Sequence, residues 1–244
     1  MADGLHVAGR NKLLSVLPPS TSRRVESYLD KTSFALKQVL YEPNQPIEYV
    51  YFPLTGVLSN VLTMSDGGMV EVGTIGNEGL AGTPVFLDTD SSPTRMFCQV
   101  PGEALRMPLT AFREELDEDD RALQRIVARY TQALMSQIAQ SVACNHLHSV
   151  EQRTCRWLLV THDRVGTDEF PMTQEFLSAM LAVRRPSVTI AAGLLEKAGL
   201  ITYRRGRIRV LDRARLDATS CECYHAVKRE YERLLGEMPT LSDR

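Results

Sequence analysis

Arginines concentrated in one late segment are the side chains best suited to a defined chemistry. Arg184 and Arg185 lie together, and Arg204, Arg205 and Arg207 crowd a short turn soon afterwards. A guanidinium is a planar fork of hydrogen-bond donors, so it binds phosphate oxygens and pairs with the O6 and N7 atoms of guanine. The spacing therefore predicts a surface that binds nucleic acid.

Two short helices with a tight connection carry this surface. Thr173 can cap the first helix, and Pro186 suits the first turn of the second, where an amide hydrogen has no partner within the helix. The second helix ends at Gly199, a residue that readily adopts the left-handed conformation found there. The pattern predicts a helix-turn-helix whose second helix enters the major groove of double-stranded DNA.

The second helix divides into a groove face and a core face at about 100° per residue. The groove face is mostly small, with a basic side chain at its N-terminal end: Arg185, Pro186, Thr189, Ile190 and Gly193. We expect Arg185 to pair with guanine and the Thr189 methyl group to touch a thymine methyl. Arg184 and Ser187 are placed to contact phosphates, which fix register without reading sequence. The predicted core face is apolar: Val188, Ala191, Leu194, Leu195 and Ala198.

A basic β-hairpin follows the second helix. Residues 200–203 and 208–211 form two short strands, and residues 204–207 join them. The joining residues include Arg204, Arg205 and Arg207. A solvated surface turn is the alternative interpretation, since arginine is common on surfaces. Beside a helix-turn-helix, this density of arginine favours a wing that contacts phosphates.

The cysteines and histidines are candidates for metal ligands and for nucleophiles. Cys221, Cys223 and His225 are of ligand type, but on a helix Cys223 points about 160° away from Cys221. We therefore predict no metal site, and place these residues in one C-terminal helix over residues 216–235 that packs back on the protein. Cys144 and Cys155 could act as thiol nucleophiles, but no recognised catalytic motif accompanies them, so no enzyme is expected.

The positioning elements before the basic segment are of two kinds. Residues 34–107 contain short β-rich runs divided by turn signals such as Asp66-Gly67-Gly68, a pattern typical of an all-β barrel or roll. An acidic run over residues 114–120 then predicts the start of the longest helix. Its apolar stripe is interpreted as a dimer seam, the alternative being a helix packed within its own subunit. The seam residues are Leu123, Ile126, Val127, Tyr130, Leu134, Ile138 and Val142.

Charge is segregated along the chain. The formal net charge is −2, yet residues 151–215 hold 12 Lys and Arg against 7 Asp and Glu, whereas residues 1–150 hold 12 against 17. The class is α+β: an N-terminal β-roll, a long dimerisation helix and a C-terminal winged helix-turn-helix. The parts are a sensor roll with flanking helices at 1–113, the long helix at 114–148, the DNA-binding domain at 149–215 and a helical extension at 216–244.

Composition excludes several other classes. Hydrophobic residues make up 43% and charged residues 24% of the 244 residues, as in globular proteins and unlike disordered chains. No run approaches the roughly 18 apolar residues of a membrane span. The first residues lack the basic and apolar regions of a secretory signal. We expect no membrane partner and a cytoplasmic location.

Together these residues resemble the CRP/FNR family of bacterial transcription regulators. The resemblance runs from Leu13 to Leu211, and its strongest strings are TQEFL at 173–177, VRRPSV at 183–188 and AGLI at 198–201. It implies a homodimer that binds a palindromic operator, and RNA polymerase as a partner if the protein activates. Pro186 and Ile190 stand where the cyclic-AMP regulator has a glutamate and an arginine, so thymine methyls and DNA shape should matter more.

The resemblance also implies an effector pocket in the roll. Its residues here are Gly76, Asn77, Glu78, Gly79, Arg95 and Ile138. Cyclic-AMP-binding members hold the phosphate with a Gly-Glu pair and an Arg-Ser pair. The Arg-Ser position falls on Ser92-Pro93, and Arg95 comes late, which on a strand can put it on the wrong face. We therefore expect an unknown small-molecule effector other than cyclic AMP.

One alternative is a constitutive regulator whose degenerate roll serves as a structural or protein-docking platform. No cofactor is predicted. An iron–sulfur member would carry cysteines near the N-terminus, whereas the first cysteine here is Cys98, and no histidine lies within residues 34–107 to ligate haem.

Overall fold

A β-roll, a long helix and a C-terminal region of helices around a small sheet follow one another along the chain. The computed structural model describes residues 8–65 and 67–236. The order of the helices and strands along the chain confirms the predicted α+β class. Within those residues, no helix combines the length and apolar character that a membrane crossing requires.

Two short helices, α1 (Lys12–Ser15) and α2 (Pro19–Glu26), precede the roll. The buried side chain of Asn11 caps α1 by accepting hydrogen bonds from two of its amides. The same side chain donates to the carbonyl oxygens of Pro53 and Gly79, at 2.9 Å each. Asn11 therefore fastens α1 to the roll.

Seven antiparallel strands build the roll. They are β1 (Asp30–Phe34), β2 (Val39–Tyr41), β3 (Tyr49–Pro53), β4 (Val57–Thr63), β5 (Met69–Ile75), β6 (Arg95–Val100) and β7 (Gly102–Pro108), with a short helix α3 (Thr83–Phe86) between β5 and β6. They form two sheets, ordered β1-β7-β3 and β2-β6-β4-β5. Phe52, Leu58 and Met107 come from both sheets and lie in one buried core.

The region predicted as one long helix is two helices, α4 (Leu109–Asp117) and α5 (Ala122–Leu147). The acidic run does not open the long helix as predicted. Its carboxylates instead bind α2, because Arg24 donates to Glu115 at 3.0 Å and to Asp120 at 3.2 Å. Asp120 also accepts the amide of Ala122 at 2.9 Å, and this is its contact with the start of α5.

The predicted dimer seam on α5 is corrected by burial. Leu123, Val127, Tyr130 and Leu134 are buried in the core of their own subunit, and Ile126 and Ile138 pack against that core. Only Val142 among the predicted seam residues is exposed. Periodicity located an apolar stripe correctly, but the roll and the C-terminal extension cover it.

The C-terminal region contains three helices and three strands up to the end of the wing. They are α6 (Val150–Val165), β8 (Glu169–Pro171), α7 (Gln174–Met180), α8 (Arg185–Lys197), β9 (Ile201–Arg204) and β10 (Arg207–Val210). The strands form one antiparallel sheet, ordered β8-β10-β9. Ser149 caps α6 in a capping box with Gln152, and the backbones of His148 and Ser149 are extended between α5 and α6.

The predicted single C-terminal helix is also two helices, α9 (Arg213–Thr219) and α10 (Cys223–Leu235). As expected, α10 packs back on the protein, with Tyr231 and Leu235 in the core of the roll. The predicted divergence of Cys221 and Cys223 is corrected. Cys221 precedes α10, so helical spacing does not apply to it, and both cysteines enter one buried cluster with Cys144.

Candidate nucleic-acid interface and sensor loop

Helices α7 and α8 form the predicted helix-turn-helix. Thr173 caps α7 by accepting the amide of Phe176 at 3.1 Å. The connection turns at Ala182, whose φ of 51° is left-handed. Helix α8 starts at Arg185 and has Pro186 in its first turn, as predicted.

The groove face of α8 is open to solvent. Arg185, Pro186, Thr189 and Ile190 are exposed, and Ile190 is 66% exposed. The core face needs correction. Val188, Ala191 and Leu195 are buried as predicted, but Ala198 is exposed, Leu194 is 48% exposed, and Ala192 is buried instead. The buried stripe is therefore narrower than predicted, and Ile190 and Leu194 leave an apolar edge one turn apart on the open side.

Gln174 joins the two helices, and sequence reasoning missed it. Its side-chain oxygen accepts a hydrogen bond from the Thr189 hydroxyl at 2.8 Å. The Thr189 hydroxyl is thus bonded within the protein, which leaves the methyl group for the predicted contact with a thymine methyl. A polar residue in the first turn of α7 was the available signal.

Strands β9 and β10 form the predicted wing. Arg205 and Gly206 make the two-residue turn, and their φ angles of 51° and 73° are those of a tight hairpin turn that favours glycine. The Gly206 carbonyl accepts the amide of Met172 at 2.7 Å, which holds the wing tip beside the start of α7.

The wing arginines have different surroundings. Arg204 and Arg205 are exposed and make no ion pair with any residue that the structure describes. Arg207 is bound to Glu169 of β8, with 2.5 Å between its Nε and a carboxylate oxygen. Two of the three wing arginines, Arg204 and Arg205, therefore carry an uncompensated charge.

One open groove connects these elements. It lies between the starts of α7 and α8 and the wing tip. The residues lining it are Thr173, Gln174, Arg185, Tyr203, Arg205 and Gly206. Burial raises the pKa of Tyr203 to about 12, so its phenol stays protonated and able to donate. Arg184 and Ser187 lie at the start of α8 but do not line this groove.

The loop that follows β5 holds four of the six predicted effector residues. Gly76, Asn77, Glu78 and Gly79 are all buried. Glu78 accepts the amide of Gly76 at 3.0 Å and so folds back on its own loop. The loop thus surrounds a buried carboxylate, and residues 76–79 are called the cradle.

Arg164 of α6 occupies this cradle. Its Nη2 lies 2.6 Å from Glu78 Oε1 and its Nε lies 3.1 Å from Glu78 Oε2. Nη2 also donates to the Thr74 carbonyl at 3.1 Å and to Gln137 at 3.3 Å. Burial lowers the pKa of Arg164, but the Glu78 carboxylate more than offsets this, so the pKa is raised overall.

Packing around Gly76 is close enough to explain its identity. A Cβ atom on Gly76 would lie 2.5 Å from Cγ and Cδ of Arg164. Sequence reasoning missed Arg164. The signal was its place on the buried side of α6, three residues after the buried Thr161.

Arg95 and Ile138 do not join the loop. Arg95 pairs with Glu42, 3.1 Å apart, at the exposed start of β6. Ile138 lies against β5, where a Cβ on Gly73 would be 3.7 Å from it. The arginine that meets the loop carboxylate is therefore Arg164 from the C-terminal region, and not Arg95 from the roll.

Comparison with known families agrees with both halves of this structure. The model for a cyclic nucleotide-binding domain matches residues 31–119, and the model for a Crp-like helix-turn-helix domain matches residues 152–219. The chain is a CRP-family transcriptional regulator. The two matches cover the roll and the helix-turn-helix with its wing, whereas all of α5 and all of α10 lie outside them.

Solved structures share the fold of the regulator at low sequence identity. A CRP-family regulator from Thermus thermophilus is 22% identical, with a TM-score of 0.64 over 78% of this chain and 96% of that one. FixK2 from Bradyrhizobium japonicum is 16% identical, with a TM-score of 0.66 over 79% and 98%. The c-di-GMP-responsive regulator CLP from Xanthomonas campestris is 13% identical, with a TM-score of 0.62 over 80% and 100%. Comparison with curated proteins finds no match.

Proposed function

We propose that the regulator binds a palindromic operator in double-stranded DNA as a homodimer. The observation that carries this proposal is the pair of exposed arginines at the start of α8, Arg184 and Arg185, beside the exposed Arg204 and Arg205 of the wing. Charges left without an internal partner favour phosphates and guanine as external partners. The proposal includes no enzyme activity. It places the regulator in the cytoplasm, together with the DNA.

The face of α5 opposite the roll suits the second copy. Its exposed residues recur at alternating spacings of four and three: Ala128, Gln132, Met135, Ala139 and Val142. This is a coiled-coil spacing, and its two alanines allow two helices to approach closely. In this proposal the second copy packs on this face in place of the predicted seam.

The four predicted parts then have separate roles. The roll within 1–113 is the sensor, 114–148 contains the dimer helix, 149–215 binds DNA, and 216–244 contains α10, which packs against α5. RNA polymerase is a partner only if the regulator activates. Selecting fragments of genomic DNA with the purified protein, followed by light scattering of the complex, tests the proposal. We expect an inverted repeat bound by two chains, and a direct repeat or one bound chain would contradict it.

A constitutive regulator is the second candidate, and the Arg164–Glu78 pair favours it. The cradle that would hold an anionic effector is filled by a side chain of the same molecule. A thermal-shift series with cyclic AMP, cyclic GMP and c-di-GMP separates the two forms, because a ligand of the native state raises its apparent stability. An unchanged melting temperature with undiminished operator binding supports the constitutive form.

A further inference from the structure

Three cysteines and a histidine meet where the long helix ends. Cys144 lies in the last turn of α5 and His148 ends that helix, while Cys221 lies between α9 and α10 and Cys223 begins α10. Their ligand-type atoms all lie within 4.8 Å of one another. The three cysteines are buried and form a cluster apart from the two apolar cores.

Two distances within the cluster lie close to the edges of a tetrahedron around one ion. Zinc bonds to sulfur at about 2.3 Å and to nitrogen at about 2.0–2.1 Å, so tetrahedral edges are about 3.8 Å between sulfurs and about 3.5 Å between sulfur and nitrogen. The Sγ atoms of Cys144 and Cys221 are 3.5 Å apart. Cys223 Sγ and His148 Nδ1 are also 3.5 Å apart.

Neighbouring polar groups orient two of these side chains. Glu222 lies 3.1 Å from His148 Nε2, so a proton on Nε2 leaves the Nδ1 lone pair directed at the cluster. A carboxylate behind a histidine is the usual support of a zinc ligand. Gln140 donates to Cys223 Sγ at 3.1 Å, an arrangement that stabilises a thiolate.

We propose that the regulator holds a structural zinc ion with four ligands: Cys144, His148, Cys221 and Cys223. Thiolates with imidazole are the ligand set that zinc prefers, and four protein ligands close its coordination shell, as in structural sites. His225, the histidine next to these cysteines in the sequence, does not belong to the group of side chains that converge, and it bonds to Asp217 at 2.7 Å.

The position of the ion gives it a mechanical role. His148 ends α5 and Ser149 caps α6. The ligands Cys144 and His148 therefore lie just before the junction between the long helix and the DNA-binding region. The other two ligands, Cys221 and Cys223, lie just before α10 and at its start. Zinc thus fixes α10 to the end of α5 and stiffens the segment through which the two regions are connected.

Metal analysis of the full-length chain, purified under reducing conditions, tests the proposal. We expect about one zinc per chain in the wild type and loss of most of it in Cys221→Ser and His148→Gln. Matched controls are Cys98→Ala, a buried cysteine in the roll, and His225→Gln. Both controls should keep the wild-type zinc content.

Cobalt(II) titration of the metal-stripped wild type keeps the test independent of variant folding. We expect the visible absorption of a tetrahedral cobalt–thiolate site, saturating at one equivalent and abolished by one equivalent of zinc. Three results would overturn the proposal: no tetrahedral cobalt spectrum, a Cys144–Cys221 disulfide in the protein as isolated, or iron with inorganic sulfide in place of zinc.

Discussion

Arg185 and Arg164 belong to helices packed against each other, yet their surroundings are opposite. Arg185 at the start of α8 is exposed and makes no ion pair with any described residue. Arg164 near the end of α6 is buried, bonded to Glu78 and supported by Thr74 and Gln137. The first arginine lacks an anion until something binds, whereas the second is neutralised inside the protein. Exposure and pairing together therefore separate an arginine available to a ligand from one that fastens two regions.

Removing Arg164 should have the largest effect. Arg164→Met leaves Glu78 charged and unpaired in a buried site, which we expect to lower the free energy of unfolding by about 3–5 kcal/mol. Urea denaturation followed by circular dichroism measures this. Arg113→Met changes an exposed arginine of α4 and should have little effect.

A double variant sharpens this prediction. Arg164→Met with Glu78→Leu removes both charges, so most of the stability should return. A decrease below about 1 kcal/mol in the single variant would mean that the buried pair does not fasten the two regions.

Removing Arg185 should affect binding and leave folding intact. Arg185→Ala is expected to weaken specific operator binding by about 1–3 kcal/mol and to relax one base position, because the bidentate pairing with guanine is removed. Fluorescence anisotropy with the selected operator and its single-base variants measures both. Arg113→Ala is the control, and unchanged base preference in Arg185→Ala would refute the groove assignment.

Glu71 gives a third environment, a half-buried carboxylate without a cation bonded to it. Ser59 and Trp157 donate to it at 2.6 and 3.1 Å, the latter from α6. Burial raises the pKa of Glu71 from 4.5 to about 7, although these hydrogen bonds oppose the shift. The unfolded chain then loses the proton first as pH rises, so the contribution of Glu71 to stability falls between pH 4.5 and about 7.

Glu71→Gln should remove that contribution. We expect the difference in unfolding free energy between wild type and variant to change across this pH window and to be constant above it. Glu114→Gln replaces an exposed carboxylate and should show no such change. A difference that does not vary with pH would mean that Glu71 titrates normally.

The wing should give the smallest effect. Arg205→Gln is expected to flatten the dependence of the logarithm of affinity on the logarithm of salt concentration by about 0.9 for each phosphate that the wing no longer neutralises. Arg207→Gln should flatten it less, because Glu169 already compensates Arg207. Equal slopes in wild type and both variants would show that the wing does not touch DNA.

Local patterns make much of the fold predictable. Thr173, Pro186 and Gly199 each act through backbone geometry within a few residues, so the sequence predicts the helix-turn-helix correctly. Arg205 and Gly206 likewise specify the turn of the wing. Such signals depend only on near neighbours.

Contacts between distant segments are not predictable in this way. The stripe with Leu123 and Val127 has the same periodicity whether a partner subunit or the roll covers it. Glu78 and Arg164 are 86 residues apart, and Cys144 and Cys221 are 77 apart. Such pairs form only once the tertiary fold brings them together, and helical spacing within one segment cannot reveal them.

The filled cradle also sets a thermodynamic condition on any ligand of the roll. An anion entering beside Glu78 would compete with the chain's own carboxylate for Arg164, and its measured affinity would include the work of separating that pair. Because Arg164 belongs to the DNA-binding region, an arrangement of that region in which Arg164 is already separated from Glu78 but still within reach of the anion would strengthen ligand binding. Reciprocity then requires the ligand to favour that arrangement by the same factor.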